Sequence, residues 1–293
     1  MKINDIIDTR KRFKIAYKNY MSVMWGVWRG KNKIKVIFQN GNSNYVSNDL
    51  VWGYAELLFT NKDDHIHDLY LDSDSIKFTY NGKSISMVLE GTGDIRGVFS
   101  SEEYGFLEVE NEIVVDIGAN IGDSPIYFAL NNAKNVIALE PYPYSYSISL
   151  KNIKKNNLAD KIMLLNAGYG QDGTIKVNPD FENTICSDLK SFNDGMDIEI
   201  LSLKTLLRDY HIDNAVLKID CEGCEYNLLK EDNDTLKKFK RIQIEYHYGY
   251  EKLKEKLEDA GFTVTYSEPV KVFNKESTEQ NKVVGYIYAK IDS

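Results

Sequence analysis

The sequence predicts an α/β protein with a seven-stranded mixed sheet and helices on both faces, preceded by an N-terminal helix and a small antiparallel β region. Three observations predict this fold class. Short apolar segments alternate with helical or turn-rich segments from residue 112 onward, as in a doubly covered, largely parallel sheet. Two strand-like segments end the chain, close enough in sequence to pair. The first hundred or so residues show a basic amphipathic stretch and hairpin signals instead.

The composition is that of a soluble globular protein. The 293 residues are 43% hydrophobic and 27% charged, and they contain three cysteines. Apolar runs stay short of the roughly 18 residues that a membrane span needs. The N-terminus lacks the apolar stretch of a signal peptide, and the sparse cysteines fit a reducing compartment. We therefore expect an intracellular, cytoplasmic protein.

Charge is distributed unevenly along the chain. Residues 1–35 contain ten lysines and arginines against Asp5 and Asp8, a net charge of +8. Because the whole chain carries −8, the remaining residues carry −16. The acidic part, without a basic groove, disfavours a nucleic-acid substrate.

The N-terminal stretch from Ile6 to about Trp28 predicts one amphipathic helix with basic residues between its apolar positions. The simpler interpretation is a helix that packs on the catalytic domain or on a partner subunit of a homo-oligomer. The alternative is a peripheral contact with anionic lipid at the inner membrane surface, for which Trp25 and Trp28 are suited.

Residues 34–105 predict a small antiparallel β region, because Asn81-Gly82 between alternating runs is a strong hairpin signal. His65 and His67 are a conceivable metal pair, although a solvated loop is the favoured interpretation. We therefore expect two parts: residues 1–105, an accessory region for substrate or oligomer contacts, and residues 106–293, the catalytic domain.

The second part contains five apolar segments expected to form parallel strands: IVVDIG, VIALEP, IMLLNAG, VLKID and RIQIEYH. A helix follows over EKLKEKLEDAGF, with Gly261 at its C-cap. The final segments FTVTYSE and VVGYIYAK are expected to add two strands, with an antiparallel one near an edge of the sheet.

A glycine-containing loop follows the first of these strands, with Gly118 and Gly122 in a G-x-x-x-G spacing. Ser124 as N-cap and Pro125 at the first helical position fit a helix start. Such a loop lies at the carboxyl ends of the strands, where ligands bind in open α/β sheets. Asp116 and Asp123 beside it would repel a pyrophosphate, whereas the cationic S-adenosylmethionine suits them.

Glu140 ends the second strand, 24 residues after Asp116, where an acid can accept hydrogen bonds from ribose hydroxyls. The combination of loop, spacing and strand rhythm predicts a nucleotide-type cofactor. The alternative is a tight structural turn with Glu140 as a solvated surface acid.

Five segments, in this order and at these distances, resemble the FkbM family of S-adenosylmethionine-dependent methyltransferases: DIGANIGD, ALEPYPYSYSISLKNIKKNN, LSLKTLL, LKIDCEGCEYNLL and IEYH. The resemblance implies a Rossmann-like methyltransferase fold and methyl transfer, commonly to a hydroxyl, with sugar-containing acceptors among known cases. It also implies cofactor contacts. Asp116, Gly118, Asn120 and Gly122 would line the methionine and ribose side, Glu140 would bind the ribose hydroxyls, Pro141 would flank the adenine, and Asn166 and Ala167 would border it.

Acidic residues and a histidine end two strands that are neighbours in this fold: Asp220 and Glu222 after the fourth, Glu245 and His247 at the fifth. We expect them to converge beside the transferred methyl group. His247 is a candidate base because its unperturbed pKa lies near neutrality, and Asp220 or Glu222 could serve if burial raises the pKa of its carboxyl. Alternatives are a divalent metal site, for which no ligand set is fixed, and purely structural capping.

The stretch KIDCEGCEY contains a C-x-x-C spacing, Cys221 and Cys224. Acidic neighbours disfavour the thiolate of redox chemistry, and a zinc site would need two further close ligands. The acids of D-x-E-G are therefore the expected functional signal, and the cysteines are expected to be incidental. The function predicted is methyl transfer to oxygen; the competing hypothesis is a non-catalytic S-adenosylmethionine-binding or scaffold protein.

Overall fold

The computed structural model describes residues 3–60, 65–72, 74–90, 93–179, 195–272 and 282–292. The chain forms two compact units: Met1–Glu103 with Lys154–Asn156, and the remainder from Tyr104. None of the helices in the described part of the chain has the length and apolar character of a membrane span.

The N-terminal unit begins with two helices rather than the single one predicted, and a third helix lies between its two small sheets. Its elements are α1 (Ile3–Ala16), α2 (Tyr20–Trp28), β1 (Lys33–Ile37), β2 (Ser43–Ser47), α3 (Asn48–Thr60), β3 (Ile66–Leu71), β4 (Ser75–Tyr80) and β5 (Lys83–Val88). Strands β1 and β2 pair antiparallel, and β3, β4 and β5 form an antiparallel sheet. The predicted Asn81-Gly82 hairpin is confirmed: both residues have positive φ, 48° and 72°, between β4 and β5.

The break between α1 and α2 arises from contacts with β1 and its continuation. Tyr17 forms an isolated bridge with Phe38, and its hydroxyl donates to the carbonyl of Val51 at 2.7 Å. The side chain of Asn19 donates to the Lys35 carbonyl and accepts from the Ile37 amide. The Tyr17 amide still donates to the Phe13 carbonyl, but the Lys18 amide donates to the Ile37 carbonyl at 2.8 Å instead of continuing the helix. The single-helix prediction is therefore wrong.

The C-terminal unit contains the expected alternation of strands and helices. Its elements are β6 (Ile113–Ile117), α4 (Asp123–Leu130), β7 (Asn135–Leu139), α5 (Pro143–Lys155), β8 (Ile162–Leu165), β9 (Ala167–Tyr169), β10 (Gly173–Val177), β11 (Met196–Leu201), α6 (Leu203–Asp209), β12 (Ala215–Ile219), α7 (Asn233–Leu236), β13 (Phe239–Tyr246), α8 (Glu251–Asp259), β14 (Thr263–Tyr266), β15 (Val270–Val272) and β16 (Lys282–Lys290). A short 3-10 helix spans Cys224–Lys230.

The predicted mixed sheet is confirmed, but it has eight strands rather than seven: seven lie in the order β14-β16-β13-β12-β6-β7-β8, and the short β15 also pairs with β16. The five strands from β13 to β8 are mutually parallel, and β16 runs antiparallel between β13 and β14. Strands β6 and β12 are adjacent at the centre and are buried along nearly their whole length. Their carboxyl ends, and those of β7 and β13, therefore bring the predicted site residues to one edge of the sheet.

Candidate active site

The loop between β6 and α4 is held in a conformation that requires glycine. Gly118 has φ +87°, and a Cβ there would lie 1.8 Å from the backbone oxygen of Asp220. Gly122 has φ +90° and is the N-cap of α4 in place of the predicted Ser124. The helix starts earlier than expected because Gly122 ends the loop, and the hydroxyl of Ser124 donates instead to Asp116 at 2.7 Å.

Asp116, at the end of β6, forms a buried ion pair with Lys218. The Lys218 ammonium lies 3.1 Å from Asp116 Oδ1 and donates to the carbonyl of Gly118 at 2.8 Å. Burial alone would lower the pKa of Lys218, but the carboxylates of Asp116 and Asp220 outweigh it and raise this pKa. Asp116 is fully buried, and its carboxylate contacts Ser124 and Lys218. This geometry does not favour the predicted direct contact between Asp116 and a cofactor.

Glu140, directly after β7, is also buried, with 5% of its surface exposed. Its carboxylate accepts hydrogen bonds from the backbone amides of Asn120, at 2.8 Å, and Tyr142, at 2.9 Å. Burial raises the pKa of Glu140 to about 7, although both hydrogen bonds act in the opposite direction. Glu140 is therefore not the solvated surface acid of the alternative interpretation, and Asn120, with φ 44°, is held against it.

The predicted adenine side lies at the ends of β7 and β8. The amide of Asn166 donates to the carbonyls of Glu140 at 2.9 Å and Pro141 at 3.1 Å. Ala167 is buried at the start of β9, whereas Pro141 and Asn166 are half-buried. Asn166 thus fixes the backbone that carries Glu140.

Asp220, Glu222 and His247 converge, as the sequence predicted. One ligand-type atom of each lies within 4.8 Å of those of the others. Asp220 also accepts a hydrogen bond from the hydroxyl of Tyr104 at 3.2 Å. Glu245, which was expected to join the group, lies within β13, where its backbone is paired with Tyr286.

Glu225 occupies the place that Glu245 was expected to fill. It is fully buried and accepts hydrogen bonds from the amide of Gly223 at 2.7 Å and the amide of His247 at 3.0 Å. Its Oε1 also lies 3.0 Å from His247 Nδ1, while His247 Nε2 lies 3.1 Å from Glu222. The histidine ring is therefore held between two carboxylates.

This arrangement favours the charged forms of His247 and Glu222. Burial alone would lower the pKa of His247, but the bonds to Glu222 and Glu225 outweigh it and raise the pKa to about 10. Burial alone would raise the pKa of Glu222, but the bonds from His247 and from Lys282, at 2.7 Å, lower it to about 2. At neutral pH His247 is an imidazolium, which disfavours its predicted role as base.

Asp220, Glu222 and His247 form a group that could hold a metal ion, but the charge state of His247 disfavours one. An imidazole that binds a metal is neutral, whereas the bonds from Glu222 and Glu225 to its two ring nitrogens raise the pKa of His247 and favour the protonated form. Glu222 is further neutralised by Lys282. In the N-terminal unit, His65 lies 3.6 Å from Glu102 and His67 is exposed on β3, so their geometry also offers no argument for the metal pair.

Cys221 and Cys224 are joined by a disulfide, contrary to the expectation that the cysteines are incidental thiols. Their Cα atoms are 5.5 Å apart at the start of the 3-10 helix, a separation that suits a disulfide. The third cysteine, Cys186, lies outside the described residues.

A cavity of about 510 Å³ adjoins Glu222. Its lining includes the amide and hydroxyl side chains of Gln171 and Thr174, the ammonium of Lys230 and the ring of Tyr248. Gly223 and Cys224 form part of its wall. The cavity therefore offers polar groups and aromatic rings beside Glu222.

Sequence reasoning missed four residues of this site: Tyr104, Lys218, Glu225 and Lys282. Lys218 had a usable signal, because a lysine inside an apolar strand requires a buried partner, and it lies directly opposite Asp116 in the register of β12 and β6. Glu225 had the weaker signal of its place in D-x-E-G-x-E. Tyr104 and Lys282 come from distant segments and had none.

The chain is similar in sequence to known proteins and to a conserved protein family. Uncharacterized protein 158B of Sulfolobus islandicus rod-shaped virus 1 is 26% identical over 144 residues, which cover 49% of this chain and 66% of the viral protein, slightly under two thirds. Methyltransferase sdnD of Sordaria araneosa is 24% identical over 197 residues, covering 53% of this chain and 75% of that protein. The structure of M. jannaschii TYW2 in complex with AdoMet aligns with 19% identity and a TM-score of 0.39, covering 77% of this chain and 93% of that chain. Residues 116–264, just over half of the chain, match the model of the methyltransferase FkbM domain, and the chain therefore belongs to that family.

Proposed function

We propose that this protein transfers a methyl group from S-adenosylmethionine to a hydroxyl oxygen of a polar, sugar-containing acceptor. The observation that carries the proposal is the direct contact between the cofactor loop and the acidic strand end. The amide of Asp220 donates to the carbonyl of Ile117 at 3.0 Å, and the backbone of Gly118 packs so closely on Asp220 that no side chain fits between them. A bound cofactor and a reacting hydroxyl would meet at this contact.

The residues present fit S-adenosylmethionine. A carboxylate has about four acceptor positions, and Glu140 uses one on each oxygen for the amides of Asn120 and Tyr142. The remaining positions suit a ribose diol. The carboxylates of Asp220 and Glu222 suit a ligand that carries a sulfonium and an ammonium. When bound, S-adenosylmethionine supplies an electrophilic methyl group.

Asp220 is the best-supported base for the acceptor hydroxyl. His247 is already protonated, and the pKa of Glu222, at about 2, makes that carboxylate a weak acceptor of protons. Asp220 is half-buried and is oriented by the hydroxyl of Tyr104. We propose that Asp220 accepts the hydroxyl proton as the new C–O bond forms, while the His247 network fixes Glu222 beside it.

The cavity next to Glu222 supports a polar acceptor. Gln171 and Thr174 can donate and accept hydrogen bonds with hydroxyl groups, and Tyr248 offers an apolar ring face. The acidic charge of the chain beyond residue 35 supports an acceptor other than nucleic acid.

Calorimetry with S-adenosylhomocysteine tests the cofactor. We expect saturable 1:1 binding to the purified protein. Absence of binding for both S-adenosylhomocysteine and S-adenosylmethionine would remove the methyltransferase proposal. Binding without transfer of labelled methyl groups to any fraction of a cell extract would favour the non-catalytic alternative.

The role of Asp220 is tested with Asp220→Asn. We expect methyl transfer to fall by about 10²–10⁴-fold, the usual contribution of a general base, while binding of S-adenosylhomocysteine is retained. Asp213→Asn, which removes an exposed carboxylate of the same unit, should leave turnover unchanged. Turnover of Asp220→Asn close to wild type would show that another group accepts the proton.

We further propose that the N-terminal unit contacts an anionic lipid surface. Helices α1, α2 and α3 form an apolar groove of about 530 Å³, whose lining includes Phe13, Met24 and Trp52. Met21, Trp25 and Trp28 at this groove are 71%, 52% and 75% exposed. Such exposure of large apolar side chains is unusual for a surface that meets only water.

The charge around this groove favours lipid over a second copy of the chain. The exposed basic side chains of α1 and the α1–α2 and α2–β1 connections include Lys11, Lys14, Lys18, Arg29 and Lys31. The Arg29 guanidinium lies 4.8 Å from the ring centroid of Trp25, so cation and aromatic ring are presented together. Like charges would repel between two copies, whereas anionic headgroups complement them.

Sedimentation with vesicles tests this surface. We expect binding to phosphatidylcholine vesicles that contain phosphatidylglycerol, little binding to phosphatidylcholine alone, and loss of binding with Trp28→Ser. Tyr45→Ser is the control, because Tyr45 is 64% exposed on β2 outside the groove. Failure to bind anionic vesicles at low salt would refute the lipid contact. A wild-type dimer that dissociates in the Trp28→Ser variant would also refute it, because a second copy of the chain would then cover the groove.

A further inference from the structure

The disulfide between Cys221 and Cys224 encloses two residues of the candidate active site. Glu222 and Gly223 are the only residues between the two cysteines. The Glu222 carboxylate forms ion pairs with His247 and Lys282, and the Gly223 amide donates a hydrogen bond to Glu225. The ring closed by the disulfide and the hydrogen bonds of the active-site carboxylates therefore involve the same backbone segment, residues 221–224.

The enclosed turn is one that a glutamate adopts at a cost. Glu222 has φ 57° and Gly223 has φ 125°, both in the region that favours glycine. A non-glycine residue remains there only where its surroundings enforce the conformation. Here the surroundings are the disulfide on one side and the ion pairs of Glu222 on the other, so loss of either releases a restraint on this carboxylate.

One cysteine of the disulfide borders the cavity next to Glu222. Both cysteines are half-buried rather than sealed, and Cys224 lies in the wall of the cavity next to Glu222. Cys221 Sγ lies 3.7 Å from the Glu225 carboxylate, which in turn bonds to His247. A small thiol that enters the cavity can therefore reach the disulfide, and a change at sulfur is coupled through Glu225 to the histidine.

We propose that Cys221–Cys224 is a reversible thiol–disulfide modification site, and that its oxidised form holds Glu222 in the catalytic cluster. Reduction requires two molecules of a low-molecular-weight thiol of the glutathione class. They deliver two electrons and two protons, the S–S bond of the protein breaks, two cysteine thiols form, and the two reductant molecules become one disulfide. Oxidised reductant reverses the exchange. The effect on turnover rests on the proposed methyl transfer, but the modification itself does not.

A redox titration of the whole protein in glutathione buffers tests the site. Alkylation and mass measurement should show one modified cysteine in the oxidised form and three in the reduced form, because the chain has three cysteines. Methyl transfer should fall about tenfold on reduction while binding of S-adenosylhomocysteine changes little. The doubly substituted Cys221→Ser/Cys224→Ser should match the reduced protein and ignore the buffer, whereas Cys186→Ser should respond as wild type does.

Nuclear magnetic resonance of the His247 ring gives a readout that does not depend on turnover. Reduction should change the titration of this ring, because Glu222 is then less firmly held against it. Three alkylated cysteines in every buffer would overturn the proposal, and so would identical His247 titrations and identical rates in the two forms. If neither form transfers methyl groups but the ring titration changes with redox state, the modification site stands and the proposed function fails.

Discussion

The protonation of Glu140 falls near physiological pH. Burial raises its pKa to about 7, so the carboxylate becomes neutral as the pH falls below that value. The neutral acid is a weaker acceptor for ribose hydroxyls and no longer contributes negative charge beside a cationic ligand.

We therefore expect the affinity for S-adenosylhomocysteine to weaken below pH 7, by up to about tenfold per pH unit if only the carboxylate binds. Calorimetry between pH 5.5 and 8.5, about the range that brackets this pKa, measures the change. Glu140→Gln should bind more weakly at high pH and lose most of the pH dependence. An affinity of the wild-type protein that stays flat across this range would contradict the role of Glu140.

The contribution of His247 and Glu222 to folding stability also depends on pH, in a direction that follows from their pKa values. The folded-state pKa of His247 is raised to about 10, so its stabilising contribution is present at neutral pH and is lost as the pH rises through that value. The pKa of Glu222 is lowered to about 2, so its contribution is lost as the pH falls toward that value. The network is therefore intact across the physiological range.

Some of these residues could be predicted from sequence and others could not. Asp220 and Glu222 follow an apolar strand directly, so their place at the sheet edge follows from strand direction alone. The protonation of His247 depends instead on Glu225 and on Lys282, which lies 35 residues further along the chain. Since a pKa is set by neighbours in space, the sequence alone does not show that the pKa of His247 is raised and that its role as base is disfavoured.

At the scale of elements, the β6–α4 loop is defined by the contact between Gly118 and Asp220. Gly261 provides a matched control, because it also has positive φ, at +94°, but no atom lies within 4 Å of a Cβ placed there. Both positions share the backbone strain of a side chain in the left-handed region, and only Gly118 adds a collision.

We expect Gly118→Ala to lower the free energy of unfolding by about 3 kcal/mol or more, because it combines strain with a collision against a backbone atom. Gly261→Ala should cost about 1 kcal/mol. Urea unfolding measures both, and calorimetry should show weakened cofactor binding for Gly118→Ala alone. Equal losses of stability in the two variants would show that the Gly118–Asp220 contact is looser than described.

Elements of the C-terminal unit were easier to predict than those of the N-terminal unit. The central strands β6, β7 and β12 are nearly continuous apolar runs, and their burial on both faces produces that pattern. Helix α3 was missed because the turn-rich residues 40–48 before it suggested a continuing β region. The break after Ala16 carries no proline, and the glycine in this stretch lies later, within α2, so contacts with β1 and Phe38 alone explain it.

At the scale of the whole molecule, the parallel strands and the antiparallel strand near one edge could be predicted from sequence, because a parallel sheet with two terminal strands admits few topologies. The placement of the disulfide and of the apolar groove could not be predicted in this way. The groove depends on Trp28 and Trp52, which the fold brings together from two helices. Cys221 and Cys224 are close in sequence, but C-x-x-C spacing is equally compatible with a dithiol or a metal site. The apolar pattern of buried strands predicts the sheet, whereas the residues of an exposed groove or turn show no periodic pattern in the sequence.

The Lys218–Asp116 ion pair has a further consequence for how the protein responds to its medium. The two side chains are 2% and 0% exposed, so dissolved ions cannot screen them. The lysines and arginines around the N-terminal groove are open to solvent and are screened readily. Salt concentration therefore separates the two proposed activities: a wash of about 0.5 M salt, where the Debye length is near 4 Å, should release the protein from a lipid surface yet leave its cofactor site charged and competent toward a water-soluble acceptor.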